Sequence, residues 1–262
     1  MECKNCHSIL NEDLNYCPSC GGKVIRNRLT LKNLLKHFSE SYLNYDNKFL
    51  KTFINLFKKP EDVIGSYIEG TRRKYADVIS YFAIAITLSG LQMFILNKFF
   101  PEAIDISYMA TQGTEEIQRK NLQIIQEYQS FIMMLSIPVY ALMSKIVFLK
   151  FKKYNYTEHL VIYMYIISQT SIVSALVLIS LAPFGITLGE LGIYSIPLQI
   201  IYSAYCLKCL FNLRLKTIVL RTLLFLAVLL VFYAIFILLA VLFLVLTGDM
   251  QELIEAQKNA RV

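Results

Sequence analysis

The sequence predicts an all-α integral membrane protein, in which a bundle of five transmembrane helices follows a small cysteine-rich module and amphipathic juxtamembrane helices. Hydrophobic residues make up 56% of the 262 residues, and the mean hydropathy is +0.49, which is too apolar for an ordinary soluble domain. The apolar residues are concentrated in five runs, each long enough to cross a bilayer as a helix. Lysine and arginine cluster beside these runs, as they do in the loops that orient membrane proteins.

The first 28 residues contain the most specific motif of the chain. Two Cys-x-x-Cys turns, Cys3 to Cys6 and Cys17 to Cys20, are separated by ten residues. Four thiolates at this spacing can surround one Zn²⁺ tetrahedrally, and the glycines after Cys20 permit the left-handed backbone that such turns use. Two disulfides or free thiols are the alternatives, and a reducing cytoplasm disfavours disulfides. His7 is an alternative ligand, but the four cysteines already complete the shell.

We therefore predict a structural zinc ribbon over residues 1–28, with Cys3, Cys6, Cys17 and Cys20 as the zinc ligands. A segment of this size buries too little apolar surface to fold alone, so the metal would supply the folding free energy. Four protein ligands leave no open position for a catalytic water. Ribbons of this kind serve as protein or nucleic-acid adaptors, and the sequence does not choose between these partners.

Residues 29–77 are predicted to form a cytoplasmic collar of amphipathic helices. Thr30 can cap a helix whose apolar positions recur every three or four residues, and the same pattern resumes after residue 44. These apolar positions are Leu31, Leu34, Leu35, Phe38, Tyr42, Tyr45, Phe49, Phe53 and Leu56. The apolar face lies either in the lipid headgroup layer or against the cytoplasmic ends of the protein's own spans.

A second short helix is predicted from Pro60 to Gly70, and a basic triplet follows it at residues 72–74. The cysteine turns, Pro60 and the stretch Tyr67-Ile68-Glu69-Gly70-Thr71-Arg72-Arg73-Lys74-Tyr75 together resemble an uncharacterised bacterial family of zinc-ribbon membrane proteins, the domain of unknown function 3667. The resemblance covers roughly the first 80 residues. It implies a zinc ribbon followed by several membrane spans, and it implies no activity or substrate.

The five predicted spans are residues 78–96, 131–149, 160–182, 194–211 and 223–246. Basic residues flank alternate ends of the spans. By the positive-inside rule, these ends lie on the cytoplasmic side. They are Arg72, Arg73 and Lys74, then Lys150, Lys152 and Lys153, then Arg214, Lys216 and Arg221. We predict a multi-pass protein of the bacterial inner membrane, with a cytoplasmic N-terminus and an extracytoplasmic tail at residues 248–262.

The segment between the first two spans is predicted to lie outside, with a helix that starts near Thr114 and runs into the second span. Prolines 138 and 197 are expected to kink their spans, and Pro183 to mark a span end. Lys145 is expected to reach the interface beside the inner basic cluster, with a role in transport as the alternative.

Polar side chains at membrane depth allow two interpretations: hydrogen bonds between helices, or the lining of a cavity for a lipid or solute. They are Gln92, Gln169, Thr170, Ser171, Ser174 and Gln199. Cys206 and Cys209 form a further Cys-x-x-Cys at the inner end of the fourth span, where a helix places both thiols on one face without forming a turn around a metal. A redox role for this pair is the alternative.

The sequence contains no catalytic constellation, since His7, His37 and His159 are scattered and no phosphate-binding loop or nucleophile motif is found. We therefore expect a non-enzymatic membrane protein, in contact with membrane lipid, whose zinc ribbon docks a protein partner or assembles a complex. The alternatives are a transport or lipid-handling bundle regulated by the ribbon, and a membrane-tethered nucleic-acid binder. A small-molecule substrate is not indicated.

Overall fold

A computed structural model describes residues 1–11, 13–22, 24, 30–32, 48–104, 124 and 128–247, with side chains as far as Leu239. The chain divides into two compact units, Met1–Asn47 and Lys48–Val262. Seven α-helices are described: α1 Lys48–Lys58, α2 Pro60–Ile68, α3 Val78–Phe99, α4 Gln129–Val147, α5 Tyr156–Leu181, α6 Leu188–Phe211 and α7 Leu215–Thr247. Within these ranges no β-strand forms, and Glu2 and Ile9 make one isolated antiparallel bridge.

Five of these helices are long and apolar enough to cross a membrane, as predicted. They are Val78–Phe99, Gln129–Val147, Tyr156–Phe184, Leu188–Phe211 and Leu215–Leu239. The last of them presents Leu230, Phe236 and Leu238, each 68% exposed, and side chains this apolar require a lipid environment. The second unit is therefore the membrane domain of a multi-pass protein.

Several spans begin earlier in the structure than the apolar runs of the sequence predict, because helix caps fix where these helices start. Helix α5 begins at Tyr156 because Asn155 and Glu158 form a capping box, and α6 begins at Leu188 because Thr187 and Glu190 form another. Such a box satisfies backbone N–H groups that the first turn leaves without partners. Apolar composition marks the part of a helix that lies in hydrocarbon, whereas the cap marks where the helix begins.

The prolines within the spans and the helix predicted between the first two spans can now be compared with the structure. Pro138 lies inside α4 and Pro197 inside α6, so both helices continue through their prolines. The helix expected near Thr114 lies outside the described residues, since positions 105–123 and 125–127 are not described. A short 3₁₀ turn, Pro101–Ile104, follows α3, and a second, Ala182–Phe184, contains Pro183 at the end of the third span.

Helix α1 packs against the protein's own spans. Leu56 is fully buried in the main core cluster, and Phe49 and Phe53 pack against it. Tyr81 of α3 lies with its ring centroid 5.3 Å from that of Phe49. Of the two interpretations of the amphipathic face, packing on the spans is therefore the one that α1 adopts. The earlier part of the predicted collar, from residue 33 to 47, lies outside the described residues.

The basic clusters of the second unit lie at one end of the bundle. The end of α4 and the end of α6 meet there, because Phe148 stacks on Phe211 with centroids 4.5 Å apart. Lys153 donates to the Leu210 carbonyl at 2.6 Å, and Arg221 of α7 donates to the Val147 carbonyl at 2.7 Å. Loops that are separate in sequence thus form one basic end.

Candidate metal centre

The four N-terminal cysteines lie together. Their Sγ atoms all lie within 4.8 Å of one another, with Cys3 and Cys20 3.7 Å apart and Cys6 and Cys17 3.5 Å apart. Four sulfurs bound tetrahedrally at about 2.3 Å from Zn²⁺ would be separated by about 3.8 Å. The arrangement therefore fits one metal ion bound by four thiolates.

The two cysteine turns have the same backbone geometry. The residue after each second cysteine has a left-handed conformation, with φ of 58° at His7 and 70° at Gly21. The His7 amide donates to the Cys3 carbonyl at 2.9 Å, and the Gly21 amide donates to the Cys17 carbonyl at 2.8 Å. Glycine adopts this conformation without steric cost, as expected from the sequence. His7 adopts it as a non-glycine residue in the equivalent position.

The His7 side chain lies away from the sulfur cluster. Its Nδ1 atom is 3.3 Å from the Glu2 carboxylate, and the side chain is 78% exposed. The structure therefore places His7 in the turn through its backbone, and the described metal-binding group consists of the four cysteines.

Ser8 is a neighbour of the sulfurs that the sequence reasoning missed. Its hydroxyl lies 3.1 Å from the Cys6 sulfur and 3.2 Å from the Cys17 sulfur. This hydroxyl, together with backbone amides, lowers the pKa of the Cys17 thiol to about 6, and the Asn5 side chain lowers the pKa of the Cys20 thiol. Both effects favour the thiolate, which is the form that binds metal. A serine two residues after Cys6 is the only signal that the sequence offered.

Cys206 and Cys209 lie in α6 and belong to the membrane unit. Cys206 is buried and Cys209 is half-buried, and both are free thiols. No described histidine or carboxylate completes a metal-binding group with them. Their helical placement agrees with the prediction that they do not form a second turn around a metal.

A separate polar cluster fixes the basic loop between α2 and α3. Asp62 accepts hydrogen bonds from Lys74 at 2.5 Å and from the Tyr75 hydroxyl at 2.6 Å. These two donors lower the pKa of the Asp62 carboxyl, with that of Lys74 as the largest cause. Arg72 lies over the Tyr67 ring, 5.1 Å from its centroid. Arg72 and Lys74 of the basic triplet therefore both contact side chains of α2.

The polar residues at membrane depth divide between the two interpretations. Gln169 accepts a hydrogen bond from the Tyr81 hydroxyl and donates to the Phe53 carbonyl at 3.1 Å, so it joins α1, α3 and α5. Gln199 lies in the wall of a cavity. Lys145 donates to the Tyr154 carbonyl at 2.6 Å, which places its charge at the basic end, as expected.

The fold and this site define a class: a multi-pass helical membrane protein with an N-terminal cluster of four cysteines that could hold a metal ion. Residues 46–90 of the chain match the family model described as "Protein of unknown function (DUF3667)". The match covers α1, α2, the basic loop and the first part of α3. The cysteine turns lie outside it.

The family match confirms the resemblance over residues 46–90 and adds no activity. Pro60 and the stretch from Tyr67 to Tyr75 lie within the matched residues. A search of the curated proteins gave no match, and neither did a search of the solved structures.

Proposed function

We propose that this protein is a non-enzymatic membrane protein whose N-terminal unit is a structural zinc module that docks a protein partner. The observation that carries the proposal is the closed group of four sulfurs, within 4.8 Å of one another. Zinc is the metal that four cysteine thiolates at this separation bind in structural sites. Since the four sulfurs fill the coordination shell, the metal would hold the fold and would not activate water.

A protein partner is favoured by the surface around the metal site. Ile9 is 90% exposed and Tyr16 is 50% exposed, and apolar and aromatic side chains of this kind are the anchors of protein interfaces. Nucleic-acid binding by a module of this size depends on several cations that contact phosphates. Residues 1–28 contain four cations, Lys4, Lys23, Arg26 and Arg28, and three carboxylates, Glu2, Glu12 and Asp13, so the module has little net positive charge with which to bind phosphates.

The bacterial inner membrane, with the N-terminus in the cytoplasm, is the location that suits this function. The basic end of the bundle favours the cytoplasmic side by the positive-inside rule. A reducing cytoplasm keeps the four thiols available for metal. The bacterial assignment depends on the family resemblance.

Crosslinking of intact membranes followed by purification of the tagged full-length chain tests the docking function. We expect a protein partner to be recovered with the wild type and lost with Cys17→Ser, which removes a metal ligand. Ile9→Asp should also lose the partner while the chain still binds zinc, because Ile9 is exposed and its side chain is not a ligand.

The double variant Cys206→Ser, Cys209→Ser is the matched control and should recover the partner normally. Recovery of the same proteins with Cys17→Ser and Ile9→Asp would contradict the docking function. Recovery of RNA or DNA in place of protein would favour the nucleic-acid alternative.

A further inference from the structure

A cavity of about 270 Å³ lies among α4, α5, α6 and α7. The cavity is partly open to the surface of the bundle, and its volume is many times that needed to hold one water molecule. Its wall consists mostly of aliphatic and aromatic side chains, including Ile167, Leu207 and Leu229. An apolar space of this kind in a membrane domain suits a hydrocarbon chain.

One side of the cavity is a rigid aromatic wall. The rings of Tyr163 and Phe225 are stacked, with an interplanar angle of 9° and centroids 6.2 Å apart. The centroid of the Tyr140 ring lies 5.9 Å from that of Tyr163 and 6.3 Å from that of Phe225, so the three rings form one cluster. Because stacked rings leave few rotamers open, this wall does not collapse easily into the space beside it.

The length of the cavity matches one leaflet of a bilayer. Along α7 its wall extends from Ile218 to Leu229, and eleven helical steps correspond to about 16 Å. Half of a hydrocarbon core that is roughly 30 Å thick is about 15 Å. Ile196, on the α6 side of the wall, is 62% exposed, so the cavity reaches the lipid-facing surface of the bundle.

Arg221 gives the cavity one charged end. Its guanidinium donates to the Val147 carbonyl at 2.7 Å and lies over the Phe151 ring, 5.1 Å from the centroid. A guanidinium has five N–H donors, so others remain for a ligand. The cavity wall contains no aspartate or glutamate, and Arg221 makes no ion pair with a carboxylate in the described part of the chain.

We propose that this cavity binds one acyl chain of an anionic phospholipid, with the lipid phosphate at Arg221. The chain would lie along Phe225 and Leu229 on α7, and the headgroup would lie at the basic end of the bundle. Lys150, Arg214 and Lys216 belong to that end by sequence position and favour a headgroup with a net negative charge. The planar guanidinium suits a phosphate through paired hydrogen bonds.

Native mass spectrometry of the purified full-length chain tests this proposal with phosphatidylglycerol and with a diacylglycerol of identical acyl chains, which lacks the phosphate. We expect the wild type to bind phosphatidylglycerol about tenfold more tightly, the size expected for one charge-assisted hydrogen-bonded contact. Arg221→Gln should remove that preference, and Arg221→Lys should keep part of it. Lys98→Gln removes an exposed charge at the end of α3 that lies away from the basic loop and outside the cavity wall, so it should keep the preference.

A second variant tests the chain-binding part of the cavity. Ala204 is in the wall, and Ala204→Phe should weaken binding of both lipids while leaving the relative preference in place. Ala204→Leu is the smaller alternative if the phenylalanine variant does not purify as a single species. Equal binding of the two lipids by the wild type, equal losses with Lys98→Gln and Arg221→Gln, or unchanged binding with the Ala204 variants would each overturn the proposal.

Discussion

At the scale of single residues, buried polar groups join helices that are far apart in sequence. Gln169 is completely buried and connects the Tyr81 hydroxyl with the Phe53 carbonyl. Tyr165 donates to the Ala76 carbonyl at 2.8 Å, and the Ala76 amide donates to the Thr52 hydroxyl at 2.8 Å. Each bond satisfies a group that would otherwise be unpaired in a low-dielectric interior.

The first prediction concerns Gln169. We expect Gln169→Leu to lower the free energy of unfolding by about 1–3 kcal/mol, because the buried Tyr81 hydroxyl loses its acceptor. Unfolding of the purified protein in mixed micelles, followed by circular dichroism, measures the change. Gln199→Leu is the matched control, since Gln199 lies in the cavity wall, and it should change stability by much less. Equal losses in both variants would contradict the role of Gln169.

The second prediction concerns Asp62, whose pKa is lowered mainly by its hydrogen bond from Lys74 and also by that from Tyr75. A carboxyl with a depressed pKa stabilises the folded state above its unfolded pKa of about 3.9, and this stabilisation is lost as the pH falls through the folded-state pKa. The difference in stability between wild type and Asp62→Asn should therefore be constant above about pH 5 and narrow below about pH 4.

Apparent melting temperatures at a series of pH values provide the measurement. Glu61→Gln is the control, because Glu61 occupies the same first turn of α2 and lacks the contacts to the basic loop that Asp62 makes. A difference between wild type and Asp62→Asn that stays constant down to pH 3 would show that Asp62 does not act through its charge. Because the Asp62–Lys74 pair is partly exposed, the effect should also diminish at high salt.

At the scale of elements, α6 caps the C-terminus of α1. The last carbonyls of a helix have no partner within the helix. The Tyr202 hydroxyl donates to the Leu56 carbonyl at 3.1 Å, and the Tyr205 hydroxyl donates to the Phe57 carbonyl at 3.0 Å and the Lys58 carbonyl at 3.2 Å. Two tyrosines one turn apart thus attach the family-matched hairpin of α1 and α2 to the membrane bundle.

The third prediction follows from this cap. The double variant Tyr202→Phe, Tyr205→Phe keeps both rings and should destabilise the docking of α1 by about 1–2 kcal/mol, because several carbonyls lose their donors. Hydrogen exchange should become faster in α1 while it stays unchanged in the C-terminal half of α5. Tyr194→Phe, at a position in α6 that is 68% exposed, should have no effect. Unchanged exchange in α1 would exclude the tyrosine cap as a source of stability.

At the scale of the whole molecule, the two compact units have hydrophobic cores of very different size. Residues Met1–Asn47 form one compact unit and Lys48–Val262 the other. The core of the first unit, described as far as residue 24, contains Cys3, Leu10 and Cys17 with few apolar neighbours. The second has an extensive core of buried aromatic and aliphatic side chains. A core as small as that of the first unit does not stabilise a fold unless disulfides or a metal ion also contribute.

The fourth prediction is that chelation unfolds the first unit alone. The purified full-length chain should contain one zinc per molecule, and a strong chelator should remove hydrogen-exchange protection from the His7 and Gly21 amides. Protection in α3 and α5 should stay unchanged. The double variant Cys206→Ser, Cys209→Ser should keep its zinc, whereas Cys17→Ser should lose it. Zinc retained in Cys17→Ser would contradict the four-cysteine site.

The fifth prediction concerns orientation. With the basic end of the bundle in the cytoplasm, an odd number of spans brings residue 262 to the opposite side. Alkaline phosphatase, which is active only outside the cytoplasm, should therefore be active when fused after Val262 and inactive when fused before Met1. Reversing the charges of residues 72–74 to glutamate should reduce the difference between the two fusions. Activity only at the N-terminal fusion would invert the topology.

The spans and the cluster of four cysteines could be predicted because they depend on local composition and spacing. An apolar run such as residues 78–96 matches the thickness of a bilayer wherever it packs, and Cys3, Cys6, Cys17 and Cys20 have a spacing that suits one metal. The approach of Ser8 to two sulfurs could not be read from spacing, since it depends on the fold of both turns. The same holds for the sharing of Gln169 among three helices.

The sequence by itself determined that this is a membrane protein with five spans and a cluster of four cysteines, because hydrophobic length and ligand spacing act over short stretches of chain. Only the tertiary structure decided that α1 packs on the spans, that Gln169 joins helices while Gln199 faces a cavity, and that Arg221 lies at one end of that cavity. These arrangements depend on which faces of distant helices meet, and helical periodicity gives each face without giving its partner.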